Sequence, residues 1–188
     1  QSVSRYFFLG LMLITLGLSS SPLLASGPYT GDEIKSVQSS DEAKIQSLRA
    51  QEIQQIRIAL GRHLAKNRQA ELYFRLAEAY LENYRSEFLF EGRVHEKRLE
   101  KGIKEPSIRR ERSKPYLALG LKASEDIQKL KIPFDRMDQI YYFLGFNYSE
   151  MGDRKKSKAY YELLVQKFPQ SVFAVEGLRA LGESAFNE

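Results

Sequence analysis

The chain has 188 residues, about one domain's worth, and its 43% hydrophobic content is enough for a folded core and above the disordered range. It contains no cysteine, which excludes a disulfide framework, a thiolate metal site and a thiol nucleophile. The formal charge is +5, and residues 93–114 alone carry nine Lys/Arg against four Asp/Glu, so the excess sits in one stretch.

Residues 5–25 place one positive charge before an apolar run from Tyr6 to Leu18, followed by serines, Pro22 and small residues. This is the pattern of a secretory signal peptide, and the run is short for a membrane span. Residues 1–25 are therefore expected to be an export segment, cleaved after Ala25, the alternative being an uncleaved membrane anchor or a buried helix. Residues 26–40 are polar, with Gly, Pro and Ser, and are expected to form a flexible linker. From Asp41 the apolar residues Ile45, Leu48, Ile53, Ile56, Leu60 and Leu64 recur at helical steps, with Ser40 as a candidate cap. This stripe is expected to pack on the next helix.

A long helix is expected over 68–101, carrying Tyr73, Leu76, Ala77, Tyr80, Tyr84, Phe88, Leu89, Val94 and Leu99, and stopped by Gly102. A charge-rich tip covers 100–112. Ser113 and Pro115 then mark a fresh helix start, with Leu117, Leu121, Ile127 and Leu130 on its buried face and Pro133 at its end. Residues 138–171 read as a helix hairpin. Tyr141, Phe143, Leu144 and Tyr148 form one apolar block, and Ala159, Tyr160, Leu163, Leu164 and Phe168 the other. Met151, Gly152 and Asp153 make the turn between them, and Pro169 closes the second block. A last helix over 171–187 is expected to bury Val172, Val175, Leu178 and Leu181.

The order Tyr141-x2-Leu144-Gly145-x2-Tyr148, then Ser157-x3-Tyr161, then Pro169, resembles the tetratricopeptide (TPR) repeat. Tyr141 stands where the repeat has Trp, and Ser157 where it has Ala. Tyr73-x2-Leu76-Ala77-x2-Tyr80 resembles the first half of a second, divergent copy over about 67–133, its two helices separated by the basic tract. The resemblance implies an all-α fold over 41–188: a TPR-like α-solenoid of antiparallel helix pairs with an extended basic helical protrusion. It also implies a role in binding proteins or peptides. With the export segment, it suggests a periplasmic scaffold in a bacterial outer-membrane, cell-wall or motility assembly. The alternative is an accessory subunit, or an N-terminal fragment, of an envelope enzyme whose catalysis lies elsewhere.

By analogy with the repeat, a concave wall would be lined by Phe74, Glu78, Leu81 and Glu82 from one copy and Tyr142, Phe146 and Ser149 from the other. Such a wall suits an extended or helical peptide with apolar and basic residues. Tyr142 and Phe146 are equally compatible with packing against the adjoining helix. The basic tract offers Arg93, Lys97, Arg98, Lys101, Lys104, Arg109, Arg110 and Arg112. These read either as a solvated helix tip or as a site for an anionic envelope partner. Nucleic acid is not expected, because the tract lacks interleaved aromatics.

No chemistry is legible. His63 and His95 have no partner at metal-ligand spacing, no G-x-S-x-G occurs, and no glycine-rich phosphate loop is present. The expectation is a protein that is not an enzyme and needs neither cofactor nor metal.

Overall fold

A computed structural model describes residues 29–186, so the stretch over 1–25 expected to direct export lies outside the described residues. The described residues are all-α: α1 (Gly31–Val37), α2 (Ser40–Leu60), α3 (Lys66–Glu100), α4 (Lys114–Lys129), α5 (Met137–Glu150), α6 (Arg154–Lys167) and α7 (Val172–Phe186). Each helix from α2 onward packs on the next, α7 also reaches back to α5, and α1 lies against α3. The core runs along this series through Phe74, Leu117, Ile140, Leu144 and Leu164.

Local chemistry sets the boundaries. After α3, the Gly102 N–H donates to Leu99 and the Ile103 N–H to Arg98, both at 2.9 Å, while Gly102 sits at φ +77°. The same arrangement ends α5, where Gly152 at φ +84° donates to Ser149 and the Asp153 N–H donates to Tyr148. Glycine takes this left-handed position without the Cβ penalty, and the two bonds satisfy carbonyls the helix leaves orphaned. Asp153 immediately caps α6 by accepting from the Lys156 N–H at 3.1 Å. A helix thus ends and its antiparallel neighbour begins within three residues, which fixes the hairpin.

At the crossing of α5 and α6 the backbone of Gly145 lies under the ring of Tyr161. A Cβ at Gly145 would stand 2.7 and 2.8 Å from two of its ring carbons. Tyr161 and Ser157 are buried, as are Leu144 and Tyr148 on the facing helix. Small residues thus line the crossing of α5 and α6.

Three expectations fail. Residues 31–37 are not a linker but α1, because Thr30 and Glu33 form a reciprocal capping box and α3 supplies a surface to dock on. The cap of α2 is Ser39, one residue earlier than expected, again in a capping box, with Glu42. The stripe of α7 is turned round: Val172, Val175 and Leu178 face outward, and Ala174 and Gly177 are buried instead. Gly177 takes the inner position because a Cβ there would meet a Leu164 methyl at 3.3 Å. Small residues let α7 approach α6 closely, and the larger ones are left outside.

Alanine is preferred to glycine inside a helix by about 1 kcal/mol, so a glycine kept at a crossing has a steric reason. Gly145→Leu should destabilise by about 1–3 kcal/mol or more through overpacking against Tyr161. Gly92→Ala, in α3 with nothing beyond its own turn of helix within 4 Å of the added carbon, should be neutral or stabilising. Urea and thermal melts followed by circular dichroism check both. An unchanged midpoint for Gly145→Leu would contradict the crossing.

Candidate interaction surfaces

The aromatic residues expected on a concave wall are used for packing. Phe74 is 2% exposed, stacks on Phe143 at 6.1 Å between ring centres and lies under the Arg136 guanidinium at 3.9 Å. Leu81 is also buried. Tyr142 and Phe146 are half-buried, and Tyr142 meets Phe146, Tyr161 and Phe173 while Phe146 meets Tyr84. These rings make a ladder from α3 through α5 to α7. Offset and edge-on aromatic pairs each contribute about 0.5–1.5 kcal/mol beyond the area they bury, so the ladder joins the helices and does not present a free wall.

Glu78, Glu82 and Ser149 remain near the surface. Glu78 and Glu82 line a groove of about 330 Å³ between α2 and α3 that the sequence did not point to. Its α2 side carries Ile45 and Leu48, 52% and 56% exposed, which were expected to be buried. The α3 side carries Ala79 between the two glutamates. The Arg75 guanidinium donates to Glu52 at 2.6 Å and approaches Glu78 at 3.5 Å, closing one end, while Arg49 donates to Asn83 at 3.0 Å further along. Helix α2 is held below the groove by Ile53 and Ile56 and beyond it by the Gln46 amide, which donates to Glu87. Only the i, i+3 spacing of Ile45 and Leu48 hinted at this, and that spacing does not say which way a stripe faces. A smaller cleft of about 200 Å³ opens among α5, α6 and α7, bordered by Ser149, Arg154 and Lys158.

The basic tract is not a solvated tip. Helix α3 extends about 13 Å beyond Glu91, at 1.5 Å per residue, to its end at Glu100, and residues 101–113 fold back along it. Arg98, 8% exposed, donates to both oxygens of Glu33 at 2.6 and 3.0 Å and to Glu105 at 2.8 Å. Arg112 donates to Glu87 at 2.6 Å and lies over the Phe90 ring. Arg110 binds Glu150 at 2.7 Å and the Tyr84 hydroxyl at 2.6 Å, and Arg109 pairs with Glu105 at 2.9 Å. Arg93 pairs with Glu42 and donates to the Val37 carbonyl, and Lys97 donates to the Ser36 carbonyl. Among the eight candidate cations, Lys101 and Lys104 are exposed and form no ion pair among the described residues. The anionic-partner surface expected from the sequence is thus mostly spent on the chain itself.

Glu91 completes this network. Its Oε1 accepts the backbone N–H of Arg112 at 2.6 Å and that of Ser113 at 3.3 Å, which fixes the chain at the start of α4. Burial pushes its carboxyl above the ordinary range. Tyr29 lies edge-on to Phe90, donates its hydroxyl to the Arg109 carbonyl, and is pushed up to about 12, first by burial and then by the nearby Glu91. Among the described residues no group of three or more His, Cys, Asp or Glu could hold a metal ion, and no helix is long and apolar enough to cross a membrane. No family model, curated protein or solved structure matches the chain.

The hydrogen bonds from Arg98, and after them the backbone N–H of Thr30, hold the Glu33 carboxyl at about 2 instead of 4.5. The folded value is depressed, so this stabilisation is complete above 4.5 and is lost as pH falls through about 2. A carboxyl-detected NMR titration should find Glu33 ionised between the two values, with α1 still docked there. Titration at the ordinary carboxylate value would contradict the pairing with Arg98.

Proposed function

We propose that the chain is an interaction scaffold, a TPR-like α-solenoid that holds a segment of another protein in the groove between α2 and α3. Support for the solenoid comes from the crossing at Gly145 and Tyr161, which lies in register with the buried Leu144, Tyr148 and Ser157 of the repeat pattern. The pairs α3–α4 and α5–α6, followed by α7, stack in the order such a repeat requires. The apolar run of the export segment favours a periplasmic place in an envelope assembly.

The observation that carries the binding role is the groove itself. Two large aliphatic side chains stand more than half exposed on one wall, facing Glu78 and Glu82 on the other. Exposed aliphatics beside carboxylates suit an amphipathic segment whose apolar residues cover Ile45 and Leu48 and whose Lys or Arg residues meet the glutamates. The groove carries Glu52, Glu78 and Glu82 beside Arg49 and Arg75, and Glu82, which also pairs with Arg85, is left largely in solvent where a Lys or Arg of the segment can reach it.

The test uses a photo-crosslinking residue at position 44, beside the groove, in intact cells. A discrete adduct should form, and Ile45→Asp with Leu48→Asp should reduce it tenfold or more. Both side chains are exposed, so the double variant should keep its stability within about 0.5 kcal/mol per site. An adduct that survives the substitutions, or none at all, would overturn the groove as the binding site.

A further inference from the structure

We propose that α1 is a displaceable strap over a second docking site, on the distal part of α3, and that this site takes an acidic, helix-forming peptide segment of a partner protein. The chain's own residues 29–37 stand in for that partner. The site is separate from the α2–α3 groove and does not depend on it.

Helix α1 has seven residues, none of them buried. Helices shorter than about 12–15 residues are marginal on their own in water, so α1 exists because it is docked. Polar contacts dock it, beside the half-buried Ile34 and Val37. Glu33 enters between Arg98 and the backbone of Thr30, Lys97 holds the Ser36 carbonyl at 2.5 Å, and Arg93 holds the Val37 carbonyl at 3.1 Å. The one ring contact is Tyr29, edge-on to Phe90 at 5.6 Å between centres and beneath the Arg98 guanidinium at 5.3 Å. Three cations and an aromatic socket thus read an aromatic residue, a glutamate four positions on, and the carbonyls at the end of a short helix. Lys101 and Lys104 at the edge, with no ion pair among the described residues, extend the positive footprint beyond what α1 covers.

The chemistry of the strap names the class of partner. A flat anionic surface such as a lipid bilayer cannot reach Arg98, which is 8% exposed and lies in a cleft between Glu33 and Glu105. A single projecting carboxylate on a peptide can, as Glu33 does. The strap is tethered, with an effective concentration in the mM range for a short linker, so an incoming segment must bind more tightly than that to displace it. No residue of α1 is fully buried, so such exchange stays open, and the solvent-facing charge contacts weaken with salt.

The experiment uses the full chain and a fluorescein-labelled peptide of residues 29–38 supplied in trans, read by anisotropy. Glu33→Lys in the chain repels Arg98 and frees the site. The peptide should bind this variant at least tenfold more tightly than it binds the unsubstituted chain. Binding should fall when the peptide carries Glu33→Gln or the chain also carries Arg93→Gln and Lys97→Gln, and should weaken as salt is added. A folded Glu33→Lys chain that ignores the peptide overturns the proposal, as does one that captures phosphatidylglycerol vesicles while ignoring the peptide. If Glu33→Lys fails to fold, hydrogen exchange in the unsubstituted chain decides. Amides of residues 34–38 should open well before those of α5, and exchange only on global unfolding would overturn the strap.

Discussion

The distal half of α3 depends on one constraint: a guanidinium taken out of water must be paired. Removing one partner of a buried ion pair costs about 3–5 kcal/mol, because the other charge is left without compensation. Arg98 and Arg112 are both placed under this constraint, and each is met by carboxylates that come from elsewhere in the chain: Glu33 and Glu105 for the first, Glu87 for the second. Their pairing brings residues 101–113 back along α3 and lays α1 across its end. A stretch that would otherwise be a charged rod in solvent becomes a folded lobe held by polar contacts.

The other half of the molecule is built differently. From Phe74 to Phe173 the helices are joined by rings, and at Gly145 by a close approach that only a residue without a side chain permits. Apolar packing of this kind rests on no charged group, whereas the lowered carboxyl of Glu33 links the docking of α1 to pH. The two halves meet at Tyr84, whose hydroxyl donates to Glu150 of α5 and accepts from Arg110 of the folded-back tract. Burial and the bond to Glu150 push that hydroxyl well above its ordinary value, which keeps it a donor.

The helix hairpin over 138–171 was legible because everything that defines it is local. Gly152 and Asp153 mark the turn, Gly145 marks the crossing, and the apolar residues repeat at helical spacing. The long helix was legible for the same reason, with Gly102 as its stop. The charge network was not. Arg98 lies 65 residues from Glu33, and Arg110 lies 40 residues from Glu150, and no periodic signal links positions so far apart. Composition located the basic tract and said nothing of the carboxylates that would meet it. The direction of the α2 and α7 stripes failed for another reason. Both helices carry apolar residues on more than one face, and α7 has Ala174 and Gly177 where close packing favours small residues. Periodicity shows that a face exists, but the size of the residues on each face decides which one turns inward. Phe74 and Tyr142 were placed on a wall by analogy with a repeat, while their bulk made them packing residues.

The basic tract is a structural element held by buried pairs. A double-mutant cycle across Arg112 and Glu87 puts this to the test. The pair is joined at 2.6 Å with both side chains largely buried. Urea denaturation of Arg112→Gln, Glu87→Gln and the double variant measures the coupling. A coupling energy of about 1–3 kcal/mol is expected, since residues in one ion-pair network are not independent. Additivity within about 0.3–0.5 kcal/mol, as for sites that do not touch, would contradict it.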